Sequence, residues 1–387
     1  MWGRALLIGL SLSTAASGAL AGDWSVKVRA GQSVEASDNR ALLVNPDGET
    51  YAFASQLQLS AAARWPGLRF EADADVSYRA LAGPGADETS APMDNGVRLK
   101  VEKIDSLTKY HLAGSWRRQD ATSAQFADNG IVIVTGDITT YVVDAGLVRQ
   151  MTALDALSWS VRGTSVEFSS ITGSPYVDLS TTGAWTRRLN PTTDLVTSLQ
   201  LEWLARDDQF NSETLFARAM VGLNAQIAKQ LVFKGTVGVG MHRTDRDGVL
   251  PPSLQPSDAS AGWLADVQLI YRPAQGTEIS LAAVHSLAPS AIGEINTRTT
   301  LGAGLRQEIN PLSYLALQGE FIQQSSLDGL DYNSADHFRA SITYGYRLTP
   351  EWQTQLSYRF AERTDDKGLA HSNTIFFSLV REVVMLP

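Results

Sequence analysis

Hydrophobicity in this chain alternates with a period of two over almost its whole length, and helical i, i+3, i+4 spacing is hard to find. The stretch LRFEADADVSYR, residues 68 to 79, shows it most cleanly. Leu68, Phe70, Ala72, Ala74, Val76 and Tyr78 fall on one face of an extended segment, and Arg69, Glu71, Asp73, Asp75, Ser77 and Arg79 fall on the other. Tyr51, Phe53, Leu57, Leu59, Ala61 and Trp65 stand in the same way against Gln56, Gln58, Ser60 and Arg64. Trp352, Leu356, Tyr358 and Phe360 repeat it against Gln353, Gln355, Ser357 and Arg359. Glu71, Asp73 and Asp75, each separated by one small residue, are tolerable only if their face meets water while the opposite face meets hydrocarbon.

Read this way, the chain holds about 18 strands of roughly 9 to 13 residues, long enough to cross a bilayer at a tilt. Short connections such as RWPG (64 to 67), LNPTT (189 to 193), INPLS (309 to 313) and LTPE (348 to 351) follow even strands. Longer ones such as LAGPGADETSAPMDNG (81 to 96) and TDRDGVLPPSLQPSDAS (244 to 260) follow odd strands. The expected fold is therefore all-β: a transmembrane antiparallel up-and-down β-barrel of about 18 strands, with both termini at the periplasmic end. A water-soluble sandwich or propeller also alternates, but it has no need of loops that alternate in length. Residues 1 to 21 read as a secretory signal, with Arg4, an ALLIGL core and a small-residue cleavage site at Ala19 to Ala21, leaving residues 22 to 387 as one barrel domain. The last strand is expected near Ser372 to Arg381. The absence of cysteine excludes a disulfide framework, a thiolate metal site and a Cys nucleophile.

Tryptophan placement is an independent test. Trp24, Trp65, Trp116, Trp159, Trp185, Trp203, Trp263 and Trp352 fall near strand ends on the apolar parity, where membrane girdles belong. The opposite parity lists the wall of the lumen. Its bases are Lys27, Arg29, Arg64, Arg69, Arg79, Arg98, Lys100, Arg117, Arg162, Arg188, Arg218, Lys234, Arg272, Arg298, Arg306, Arg339, Arg347 and Arg359. Its acids, about half as many, are Glu71, Asp73, Asp75, Glu102, Asp144, Glu202, Asp266, Glu278 and Glu320. The chain as a whole carries a formal charge of −9, so acids are expected to concentrate in the long loops while the lumen is basic and favours anions. A wide barrel also pairs many inward charges across strands simply to hold its wall. If Ser77 lies opposite Arg98, then Asp75 meets Lys100 in such a ladder.

Catalytic patterns are missing. His111, His242, His285, His337 and His371 lie in no recognisable motif, and no HExxH, phosphate loop or Cys/His metal spacing occurs, so neither enzyme activity nor a cofactor, metal or nucleic-acid partner is expected. Gly238, Gly240, Gly302 and Gly304 point inward and are expected to leave space for solute or for a loop folded inward. Inward aromatics are few, chiefly Phe216 and Phe376, and no plug domain is expected before the first strand. Among the loops, FADNGIVIVTGDITT (126 to 140) is the first candidate for narrowing the pore.

Three segments, ASDNRALLVNPDGETYAFASQLQLSA, FADNGIVIVTGDITTYVVDAGL and STTGAWTRRLNPTTDL, resemble proteobacterial outer-membrane barrels of exopolysaccharide loci, the EpsL-type and exosortase-associated group. The resemblance covers most of the chain, although the end REVVMLP lacks the terminal aromatic residue common in such barrels. It implies export of an exopolysaccharide, and the basic lumen makes an anionic one the expectation. The partners would be outer-membrane lipid and lipopolysaccharide, the polysaccharide chain, and a polysaccharide-export protein on the periplasmic side. The residues leave two alternatives open, a general or anion-selective diffusion porin and a structural or adhesion barrel with a blocked lumen.

Overall fold

The computed structural model describes residues 22–386 apart from 87–92, 122–135, 171–172, 208–210, 246–258, 290–294 and 327–333. The leader segment 1–21 therefore lies outside the described residues, as does most of the 126 to 140 stretch. The first nine strands are β1 (Asp23–Ser37), β2 (Thr50–Trp65), β3 (Leu68–Ala82), β4 (Met93–Ile104), β5 (Thr108–Asp120), β6 (Asp137–Gln150), β7 (Asp155–Phe168), β8 (Tyr176–Asn190) and β9 (Thr193–Arg206). The second nine are β10 (Ser212–Ala228), β11 (Leu231–Asp245), β12 (Ala259–Tyr271), β13 (Thr277–Pro289), β14 (Ile295–Asn310), β15 (Ser313–Ser326), β16 (Ala335–Arg347), β17 (Trp352–Asp365) and β18 (Gly368–Leu386). Each pairs antiparallel with its sequence neighbours, and β1 pairs with β18, so an 18-stranded sheet closes on itself. Closure removes the free edges whose unpaired amides and carbonyls could not survive in lipid.

Lipid and water sort the two faces. Leu57, Leu99, Leu112, Val143, Leu199, Val239, Leu301 and Phe377 stand open on the outer wall, where a membrane covers them. All eight girdle tryptophans share that face. Trp24 and Trp65 pack edge-to-face at 5.3 Å beside the short turn at 66–67, while Trp203 and Trp263 lie toward the long-loop end. Both β1 and β18 have their terminal residues at the short-turn end, since Asp23 is opposite Arg64 and Arg381 is opposite Trp352.

Several sequence expectations need correction. The last strand spans Gly368–Leu386, because its pairing with β1 continues through the apolar VVML segment to Val26↔Leu386. The β17–β18 connection is only Asp366 and Lys367, so the final odd connection is tight and its acids do not sit in a long loop. In the β3–β4 hairpin Met93 already begins the strand, which moves the register by four residues: Glu71 faces Lys100, Asp73 faces Arg98, and Asp75 faces Gly96 rather than Lys100. The segment proposed to narrow the pore is partly wall, since β6 starts at Asp137.

A different loop enters the barrel. Leu42, in the 38–49 connection, is fully buried against Ala361 and Ala370, both on the inner face of their strands. It holds φ 53°, a conformation costly for a leucine, and Asn39 fixes the turn by accepting from the Leu43 amide at 2.9 Å and donating to its carbonyl at 2.7 Å.

Candidate functional site

Cross-strand partners share a face, so the register assigns every wall residue to the lumen or to lipid. The inward bases and acids of the sequence reading all lie on the inner face, with Arg272 just beyond β12 in the turn, where it pairs with Glu278 at 2.7 Å. Inward acids are more numerous than strand parity predicts. Asp23, Glu35, Asp94, Asp178, Asp194, Glu308 and Glu382 also face inward, against the further bases Lys109, Arg206 and Arg363. Strands longer than expected bring several of these end residues into the wall.

Much of the charge is consumed in pairs. Glu102 is shared by Lys100 at 2.9 Å and Lys109 at 3.0 Å, Lys100 also reaches Glu71 at 3.9 Å, and Arg79 pairs with Asp94 at 3.3 Å. His111 Nε2 bonds Asp144 at 2.6 Å. Lys27 lies 4.0 Å from Glu382, Arg188 3.6 Å from Asp194, Arg339 2.5 Å from Glu320 and Arg218 2.6 Å from Glu202. Arg298 on β14 lies across from Ser286 and Gln324. Among the described residues no salt bridge links Arg29, Arg64, Arg69, Arg98, Arg117, Arg162, Lys234, Arg306, Arg347 or Arg359 to a carboxylate. The inward acids without one are Asp23, Asp73, Asp75, Asp178, Asp266 and Glu308. The lumen keeps a basic surplus, smaller than the strand parity alone suggested.

Part of the surplus, Arg359 together with Arg29, Arg306 and Arg347, borders open space. A cavity of about 740 Å³ lies between Glu35, Arg40 and Arg79 on one side and Glu320, Arg339 and Arg359 on the other. Gly302 and Gly304 are in its wall, and in the rung Gly302, Glu320, Arg339, Ala361 the adjacent charged pair is flanked by small residues. Arg40 was not a strand residue and could not be found by parity. The inward loop carries it to within 3.9 Å of Glu35 and 3.6 Å of Asp120 on β5, so that it spans from the first strand toward the fifth. A second cavity of about 420 Å³ at the short-turn end is lined by Arg29, Arg306, Arg347, Glu308 and Tyr314, with the Arg306 guanidinium 3.8 Å above the Tyr314 ring. Tyr314 thus joins Phe216 and Phe376 as an inward aromatic.

The other half of the lumen is packed. Leu204, Phe216, Leu264 and Leu287 form a buried cluster with Tyr176 and Met220 against it, and Ala121, Ile138 and Val166 form another with Phe168. Gly238 and Gly240 belong here, against Met220, Arg218 and Leu264, and so fit neighbours closely instead of leaving solute space. None of the histidines is a loop residue: His242 and His337 are buried on the inner face and His285 stacks on Trp263 at 3.8 Å on the outer one. Among the described residues no group of His, Asp and Glu has the arrangement of a metal site.

No protein-family model matches the chain, and a search of curated protein sequences finds no relative. Solved structures do match its fold. The outer-membrane protein OpdK of Pseudomonas aeruginosa is 9% identical with a TM-score of 0.52, covering 94% of this chain and 99% of its own. A BenF-like porin from Pseudomonas fluorescens Pf-5 is 10% identical with a TM-score of 0.52 over the same shares. OccAB2 of Acinetobacter baumannii is 10% identical with a TM-score of 0.51, covering 94% and 98%. The barrel therefore has the porin fold of the outer membrane, and these likenesses supply nothing that singles out the exopolysaccharide group.

Proposed function

We propose that this barrel is a diffusion porin for small organic anions, the alternative that the sequence left open beside exopolysaccharide export. The observation that carries the reading is the cavity between Arg40, Arg79, Arg339 and Arg359: its volume of about 740 Å³ matches a small molecule, and a low-dielectric wall focuses the field of these cations on whatever enters. Similarity to OpdK, which has also been solved with vanillate, supports a small solute. A growing glycan needs a wide continuous passage, whereas Arg40 and Leu42 of the inward loop occupy part of this one. With the short turns at the periplasmic side, Arg29, Arg306 and Arg347 would form the inner exit.

Planar-bilayer recording tests this. The open channel should pass small carboxylates in preference to cations, and Arg359→Gln, which changes no observed ion pair, should lower that preference several-fold. Cation selectivity that Arg359→Gln leaves unchanged would rule the reading out. Gene deletion separates it from export, since slower uptake of small anions is expected and loss of surface polysaccharide with normal uptake would favour the other function.

A further inference from the structure

One seam of the wall is incomplete. The β12–β13 register runs from Tyr271↔Ile279 only as far as Ala265↔His285, yet β12 extends back to Ala259 and β13 on to Pro289. Each extension stays paired on its other side, through Arg243↔Ala259 and Pro289↔Ile295. Leu264 and Ser286, the next residues in line, are not paired, so the two strands diverge toward the long-loop end. The seven paired residues of β13, tilted at about 40° and rising about 3.3 Å each along the strand, climb roughly 18 Å, within an apolar band about 25 Å tall. The split thus opens at the level of the Trp263 girdle, at the long-loop edge of the apolar band.

What lies on the two sides of the split is unusual. Outside is lipid, with Trp263 standing open at the girdle and stacked on His285. Inside lies the cluster of Leu204, Phe216, Leu264 and Leu287, the larger of the two apolar clusters in the packed half. Leu287 belongs by parity to the outer face, as the partner of Thr297, but β13 turns it inward once it leaves β12. Arg218, held by Glu202, donates from Nη2 to the Leu287 carbonyl at 2.8 Å and so replaces one bond that the ladder lacks. Gly262 on the inner face of β12 has open space where a side chain would be.

We propose that the β12–β13 split is a lateral port through which the hydrocarbon chain of a single-chain amphiphile passes from the membrane to the apolar cluster at Phe216, Leu264 and Leu287. The four side chains pack on one another here, so the port is shut, and an entering chain would replace their mutual contact with its own. The aqueous cavity touches β12 and β13 only on the paired part of the seam, at Gln268, Ser280 and Ala282, and the port does not depend on its selectivity.

The experiment uses the full barrel in liposomes containing a fatty acid with a photoreactive diazirine on its tail, with adducts located by mass spectrometry. The expected adducts are on Phe216, Met220, Leu264 and Leu287 as well as on outward Leu281 and Leu301. Two closures follow: Gly262→Trp, which fills the open space, and Leu264→Cys with Ser286→Cys, which can be oxidised in a chain that has no other thiol. Each should cut the inner adducts at least tenfold while the outer adducts and small-anion conductance stay constant, and reduction should restore them. Adducts confined to the outer face of the unaltered protein overturn the port whether or not either variant folds. Inner adducts that survive both closures also overturn it, by showing entry through the aqueous pore.

Discussion

Two arginine–glutamate pairs of almost the same geometry sit in the two halves of the lumen. Arg339–Glu320 measures 2.5 Å and Arg218–Glu202 measures 2.6 Å. The first pair borders the open cavity, with side chains 19% and 35% exposed; the second lies under the apolar cluster, at 13% and 6%. Coulomb attraction alone would treat them alike. Their surroundings do not, because water screens the first and solvates either partner if the other is lost, while the second has no such refuge. The open half can therefore use its charges on a solute, and the packed half needs its charges to hold the wall.

The largest difference between the halves should come from removing each arginine. Arg218→Met leaves Glu202 buried without its cation and is expected to cost about 3–5 kcal/mol in urea unfolding from lipid vesicles. Arg339→Met should cost under about 1 kcal/mol and lower anion selectivity instead. Equal losses of stability would erase the distinction. An intermediate effect is expected from Leu42→Asn, which tolerates the positive φ but gives up burial of about 1.5–3 kcal/mol. The inward loop should detach, single-channel conductance should rise, and the unfolding midpoint should fall by less than for Arg218→Met. Unchanged conductance would mean that the loop does not narrow the open half. The smallest effect belongs to the exposed ladder. Exchanging the charges, Glu71→Lys with Lys100→Glu, should change stability by no more than about 0.5 kcal/mol relative to the parent, whereas Glu71→Lys alone sets like charges opposite each other and should be worse. A swap no better than the single change would show that Glu102 and Lys109 dominate the position.

Facing was legible in the sequence because it follows from alternation alone, and the placement of Trp263 or Arg359 needs nothing beyond parity. Register was less legible. A slip of four residues, as between Asp75 and Lys100, leaves every side chain on its proper face, so burial offers no signal against it. The packed half was partly visible, since Leu204, Phe216 and Leu264 are apolar residues on the wet parity. Leu287 was not, because it changes face only where its strand leaves its neighbour. Arg40 and Leu42 were hidden for another reason: an inward loop is defined by what it touches, and their contacts at Asp120 and Ala361 are far away in the chain.

The pairing of β1 with β18 also has a consequence for the order of assembly. Every other seam joins consecutive strands and can form as a local hairpin, but this one brings together residues 335 positions apart, as in the bond between Ser37 and Ser372 at 3.2 Å. Closing so long a span costs chain entropy that no local contact offsets, so it comes late and slowly. Asp38 accepts two bonds from Asn373 at 2.7 Å, and Thr374 donates to Ser37 at 3.0 Å, so side chains reinforce the backbone ladder at this junction. They act as a clasp on the final step, and weakening them would be felt first as delayed closure of the ring and only afterwards as a less stable wall.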